Sequence, residues 1–379
     1  MTSVRLFEEE EFDEIPFGDD DDALLIRNFL DSCRKGGSTR LISNVQTRMY
    51  CLQLDGFFLP VSVNDTEYAN SYTVSPYGFI AYAQEELQRF GSRIFSLLLM
   101  PILMLIGSLL KWAKVNRVVT VNNLLLSTNL YPMLSSAQIE AAVRLLSRRF
   151  PLHTIMWRSL NARLPEGLMA TFQDHGGRLI LSRQVYIYHR QWLNSKQRWV
   201  LKSDRRLIGA NGYEVLDGEE LTPTEIARVK QLYDLLYLEK YTPLNPQFTE
   251  DLLAEGIKRR YLKIIALRKE GRIDGVLGYI RRGDVMTTPI YGYDTTLPQS
   301  LGLYRMLTAL CVDEADRLDL HLHHSAGAAE FKRTRGMRPE LEYMVVYDKH
   351  LPWARRLIWG AMAFLLNGLG RPLMTHFKL

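Results

Sequence analysis

The sequence predicts an α/β (α+β) protein of two tandem domains, each a mixed central sheet flanked by helices. Three observations lead there. A chain of 379 residues is too long for one ordinary domain. Hairpin signals are followed by alternating helical and strand patterns. The order of patterns in the first half returns in the second, as a duplication would give. Hydrophobic content of 47% and charged content of 23% are globular values, so rods and bulk disorder are excluded.

Each element follows from local patterning. Residues 1–22 hold ten acids against a single base, Arg5, with Pro16 and Gly18 between two acidic runs, and read as a disordered tail. The first domain is expected over 23–200. Residues 49–54 and 57–63 flank Asp55-Gly56, a two-residue hairpin signal. Ser75-Pro76-Tyr77-Gly78 then breaks the chain before a long helix from about Ala81. Residues 117–121 are β-branched and short; 135–149 have helical spacing through Ile139, Ala142, Leu145 and Leu146. A strand at 153–157, a helix at 166–175 closed by Gly176-Gly177, and a strand at 179–188 complete this half.

The second domain, expected over 201–350, keeps the same rhythm. Helices over 223–237 and 249–259 start behind Thr222 and Thr249 caps. A meander of 261–268, 273–281 and 286–293 is followed by a helix at 303–318 and a strand at 319–324. A short helix at 328–334 and a strand at 341–348 end the domain, and 351–379 read as an amphipathic C-terminal helix.

Charge and cysteine usage bound the setting. Beyond residue 22 the chain has a net charge of +14, which favours a phosphorylated cofactor, an acidic carrier protein, RNA or an anionic bilayer. Cys33, Cys51 and Cys311 are odd in number and lack metal-like spacing, so a reducing compartment is expected. The N-terminus is acidic where a secretory signal would be basic and then apolar, which makes the cytoplasm the expected location. Residues 94–110 carry no charge and would be roughly 25 Å long as a helix, the short edge of a bilayer span. A second apolar stretch, 357–369, contains Trp359 and Phe364. Core helix, interfacial surface and span all stand open. The expectation is peripheral docking without spanning, because Pro101 kinks the stretch and the α/β order needs both flanks in one compartment. Trp359 and Phe364 would insert, with Arg355, Arg356 and Arg371 meeting lipid phosphates.

The segment 291–305 carries the most chemistry. It runs from a strand through a polar loop into a helix start, where unpaired amides and the helix dipole can hold a pyrophosphate. Gln299-x-x-Gly302-x-Tyr304 is the motif, and Gly302 lets the backbone approach a ligand. Taken alone it is a weak motif, since a glycine at a helix start is more often an ordinary cap.

Meander, loop, helix, strand, short helix and final strand together resemble the GNAT acyltransferase fold. The resemblance implies a coenzyme A or phosphopantetheine thioester against Tyr293, Thr295, Gln299, Ser300, Gly302, Leu303 and Tyr304, with no metal. Residues 329–336 resemble the family's late helix, but Phe331 stands where many members place a tyrosine that protonates the leaving thiolate. Tyr304 replaces the third small residue of the loop. The doubled arrangement is similar to tandem-GNAT Fem-type aminoacyltransferases and their relatives in bacterial natural-product pathways. That implies a donor in one half, an acceptor between the halves, and Ser75–Gly78 at the first half's phosphate loop.

Other residues were weighed on their own chemistry. His324, beside Ser325 at a strand end, suits a general base for an amine acceptor, since histidine titrates near neutrality; a satisfied structural histidine fits as well. Asp294 is a second base candidate or a loop cap, and both are expected on one cleft wall flanking the thioester. His321 and His323 form a His-x-His pair without a third ligand. Glu239, Lys240, Tyr241 and Asn245, with Tyr291, suit an amino-acid-like acceptor. Arg158 would pair with a carboxylate or stay at the surface. No Gly-x-Ser-x-Gly elbow is present, so direct transfer is favoured over an acyl-enzyme. The functional reading is an N-acyltransferase of bacterial secondary metabolism or envelope synthesis, using acyl-CoA, acyl carrier protein or aminoacyl-tRNA and a small amine acceptor. The alternative is a degenerate fold docking on membrane or RNA.

Overall fold

The computed structural model describes residues 2–90 and 93–370. Its first half runs β1 (Val4–Phe7), α1 (Asp21–Arg34), α2 (Ser38–Leu41), β2 (Arg48–Leu54), β3 (Phe57–Asn64), α3 (Gly78–Phe90), α4 (Arg93–Trp112), β4 (Val118–Val121), α5 (Ser136–Arg149), β5 (Thr154–Asn161), α6 (Leu168–Asp174) and β6 (Arg178–Tyr188). The second runs α7 (Ser195–Ala210), β7 (Glu214–Asp217), α8 (Pro223–Asp234), α9 (Glu250–Lys258), β8 (Lys263–Lys269), β9 (Arg272–Arg282), β10 (Val285–Tyr293), α10 (Leu303–Leu318), β11 (His321–His323), α11 (Ala329–Thr334) and β12 (Arg338–Tyr347). The helix α12 (Trp353–Leu365) follows.

The described strands join one twelve-stranded sheet, ordered β1-β2-β3-β4-β5-β12-β6-β11-β10-β9-β8-β7. That order is symmetric about its centre. Each half lays down four antiparallel neighbours and then a parallel pair, β4 with β5 and β10 with β11. The last strand of each half then crosses over. β12 lies beside β5, β6 lies beside β11, and the two pair with each other from Arg338↔Ile187 to Val346↔Arg178. The duplication read from the sequence is therefore real, but the sheets are fused by strand exchange. Because α7 packs on α10 of the second half, the halves meet between β6 and α7 and not at residue 200.

Local signals explain most elements. Asp55-Gly56 turns β2 into β3 with Leu54 opposite Phe57, and Asp55 takes the positive φ such a turn needs. Capping boxes start α5 (Ser135 with Gln138), α7 (Asn194 with Gln197) and α8 (Thr222 with Glu225). All eight residues of β5 are buried, as a central strand covered on both faces requires.

Three expectations need correction. The acidic segment is not a free tail: β1 pairs with β2, and Asp20 caps α1. Its acids neutralise the basic body, Asp13 through Arg34, Asp21 through Arg281 and Asp22 through Arg282. The buried Arg282 side chain also bonds Asn122 and the carbonyls of Leu130 and Phe58, tying β9 to the first half. Second, Trp359 is core and does not face outward. Its indole N–H donates to Thr154 Oγ1 at 2.9 Å, and burial of so large an apolar surface contributes roughly 3 kcal/mol. Third, Arg355 is held by the carbonyls of Leu152, Lys114 and Arg117, so it is not available to a phosphate; Arg371 lies outside the described residues.

Candidate active site at the open strand pair

The two parallel strand pairs separate along their length, and the separation positions the site. β10 pairs with β11 only over Val285–Thr287 and His321–His323. Pro289, two residues on, has no N–H to donate, and the register with β9 is also interrupted between Thr287 and Ile290. The strands part, leaving a cavity of about 340 Å³. One wall is β10, through Thr288, Pro289, Tyr291 and Tyr293; the opposite wall is the turn from His324 to Ala328. α8 and the π-helical turn Leu235–Tyr241 add Tyr233, Tyr237 and Tyr241, while Tyr72, Tyr82, Ser127 and Arg183 come from the first half. Among the described residues no carboxylate lines this space, and tyrosines dominate it.

His324 is 5% exposed, and its Nε2 atom has no hydrogen-bond partner. Burial, reinforced by the nearby Lys332 charge, holds its pKa well below the ordinary value, so the ring is a neutral acceptor. Lys332, on α11, is 2% exposed and donates through Nζ to the carbonyls of Ser325 at 3.3 Å and Ala326 at 2.8 Å, and to that of His324 at 2.5 Å. Burial and the Arg183 guanidinium bring the Lys332 ammonium down to about 7. It shapes the turn in which Ser325, Gly327 and Ala328 all take positive φ. Across the cavity, Arg183 bonds Glu342 at 2.7 Å. Burial alone would raise that carboxyl, but Arg183 and His323 outweigh it and bring it to about 2.

The helix α10 begins beside this space. Gln299–Leu301 form a 3-10 turn, Gly302 sits at φ 78°, and Tyr304 reaches into the cavity. A Cβ at Gly302 would lie 2.9 Å from Leu207 Cδ1, so the glycine also serves fold. The Tyr304 ring lies 4.6 Å from Phe331 and 5.4 Å from Tyr291, measured between centroids. Burial raises its phenol, which keeps its proton.

The residues expected from the sequence divide accordingly. His324, Ser325, Tyr293, Tyr304, Tyr241, Asn245 and Tyr291 line the cavity. Thr295, Gln299 and Ser300 are exposed on the loop, Leu303 is buried under it, and Glu239 and Lys240 face solvent. Asp294 does not share the wall with His324. Its carboxylate is engaged by Arg228 at 2.7 Å and by the Thr296 amide and hydroxyl; these outweigh burial and lower its pKa, which suits a loop cap and not a base. Arg158 is buried, with its guanidinium on the carbonyls of Thr73, Leu126 and Ser127. Ser75–Gly78 lies between β3 and β4, so the first half's counterpart of the loop before α10 is the stretch 122–135 before α5. Sequence reasoning missed Arg183 and Lys332, which no spacing marks. It also passed over Tyr233 and Tyr237, whose spacing of four from each other and from the expected Tyr241 was a usable signal. Among the described residues, no group of His, Cys, Asp or Glu could hold a metal.

Residues 194–333 match the model of the acetyltransferase (GNAT) domain, so the second half of the chain carries a GNAT domain. Solved structures it resembles include a tandem GNAT protein from the clavulanic acid biosynthesis pathway, at 10% identity over 93% of this chain and 99% of that one, with a TM-score of 0.41. The structure of L-PGS from Bacillus licheniformis matches at 14% identity over 60% and 78% of the two chains, TM-score 0.44. FemX matches at 8% over 55% and 77%, TM-score 0.42. No curated protein sequence matches the chain.

Proposed function

We propose that the cavity between β10 and β11 transfers an acyl or aminoacyl group from a coenzyme A or carrier-protein thioester to an amine. One observation carries this reading: a neutral, buried imidazole whose Nε2 has no partner belongs to a residue lining a cavity that, among the described residues, no carboxylate lines. An attacking amine must lose a proton, and His324, which lines the space, is the neutral acceptor proposed to take it. The residues fit the donor. The first turn of α10 offers backbone amides to a pyrophosphate, and the edge of β10 beyond Thr287, unpaired by β11, offers amides to a pantetheine arm.

In the transfer, the amine nitrogen attacks the carbonyl carbon, the carbon–sulfur bond breaks, His324 takes the amine proton, and the thiolate needs one. Tyr304 supplies it from α10. The contact of its ring with Phe331 supports this assignment in place of the hydroxyl missing from position 331. Arg183 and the tyrosine faces favour an acceptor that combines an anionic or ring portion with its amine. A setting in secondary metabolism or envelope synthesis is consistent with this acceptor. An aminoacyl-tRNA donor is the second reading, favoured by the basic body.

His324→Ala is expected to lower kcat about a hundredfold while leaving donor KM within a factor of about two. Tyr304→Phe should slow thioester donors with basic leaving groups far more than activated ones. Unchanged rates in both variants would remove these residues from the reaction.

A further inference from the structure

We infer that the outward face of α4 and α12 is a docking surface for an anionic lipid bilayer, held peripherally. The inference is independent of the acyl-transfer reading. It begins with the duplication. In the second half β9 joins β10 through the tight turn at Gly283-Asp284. The equivalent connection in the first half, β3 to β4, takes residues 65–117 and contains both α3 and α4. The fold does not need this insertion, and long connections of that kind usually carry function.

The insertion is apolar outward as well as inward. Leu103, Ile106, Gly107 and Leu110 turn toward the protein, while Leu97, Ile102, Leu105 and Trp112 are 76, 53, 63 and 68% exposed. On α12, Trp353, Leu357 and Phe364 are 75, 62 and 78% exposed. The inner sides of both helices enter one core cluster, where Ile106 and Leu110 join Trp359 and Ala363, and Arg355 of α12 bonds the carbonyl of Lys114 just beyond α4. The two helices therefore cover the same side of the sheet and expose apolar side chains in the same sense. A monomer in water rarely leaves so much large apolar surface uncovered.

Charge selects the occupant. The sequence has no acid from Leu87 to Ile139, nor from Lys349 to its end, while Lys111, Lys114 and Arg356 stand exposed at this face. Arg356 and Lys114 make no ion pair with any described residue. Apolar side chains fringed by Lys111, Lys114 and Arg356 match anionic lipid headgroups over an acyl layer. No helix, among the described residues, is long and apolar enough to cross a membrane. Docking would also bring the cavity close to the lipid, because α4 packs through Gly107 on Tyr77 and Ile80, and Tyr82, four residues past Gly78, lines the cavity.

The test is flotation of the full chain with vesicles of phosphatidylcholine alone or mixed with phosphatidylglycerol. The chain should float with the anionic vesicles at low salt, and partition should drop about tenfold in high salt or on neutral vesicles. Leu105→Glu/Phe364→Glu should weaken binding at least about tenfold with an unchanged melting temperature, since both side chains lie in solvent. If that variant misfolds, Leu105→Ser/Phe364→Ser should move binding in the same direction. No flotation with anionic vesicles at low salt would overturn the inference. So would undiminished flotation of a folded variant. A dimer that the variant splits, without flotation, would assign the face to a second copy and overturn it equally.

Discussion

At the ends of β4 and of β10 the same event occurs: one parallel strand stops pairing with the next and a wedge of space opens. The two wedges are filled in opposite ways. Beside β4 the protein fills its own gap. Asn122, Asn123, Thr128 and Asn129 are buried there, Asn123 bonds Ser62 and the Thr73 carbonyl, and the Arg158 guanidinium spans the remainder. Only about 10 Å³ is left, bounded by Tyr72, Arg158, Arg183 and Glu342. Beside β10 there is no such plug, and about 340 Å³ stays open with an unpartnered histidine at its wall. Duplication supplied two potential sites, and side-chain polarity decided which became structure. The first wedge is filled by its own polar side chains, whereas the second keeps open space beside a His324 Nε2 without a partner, which is what a ligand would satisfy.

The sharpest way to break this comparison is to unplug the first wedge. Arg158→Ala should cost about 3 kcal/mol, since it strands three buried carbonyls and opens a void, and it should leave transfer kinetics of the surviving folded protein nearly unchanged. Urea midpoints and kcat on the same preparations measure both. A lost activity without lost stability would make the first wedge a working site.

The second effect is smaller and concerns pH. Lys332 has a folded value of about 7 against an ordinary 10.5, so between those values the unfolded chain binds the proton and the folded one does not. Stability must then rise with pH from about 7 upward. His324, also depressed, adds the same sign at lower pH: the unfolded ring takes a proton near 6.5 that the buried ring refuses. The unfolding free energy is expected to rise by up to about 1 kcal/mol per pH unit between 7 and 9, and Lys332→Met should flatten that slope. An equal slope in the variant would show that another group carries it.

Much of the architecture was legible in the sequence because its signals are local. Asp55-Gly56, the Thr222 and Thr249 caps, and the β-branched run before Asn122 each act within a few residues. Strand exchange was not legible, since the partners of β6 and β12 lie in the other half and their patterns read the same beside either neighbour. The acidic segment misled for a related reason: its composition is that of a tail, and only Arg282, 260 residues away, reveals that Asp22 is anchored. At the site, His324 and Tyr304 stood next to recognisable elements, whereas Arg183 and Lys332 became site residues only through burial against distant strands. Asp294 was read from its position before the loop, and its pairing with Arg228 could not be seen from that position.

The central claim, that the second wedge and not the first takes the donor, is tested most directly by hydrogen–deuterium exchange with and without saturating acetyl-CoA. Slower exchange is expected in 288–293, 303–306 and 323–328, with 119–123 and 156–160 unchanged. Protection confined to the first wedge, or found at neither, would contradict the account.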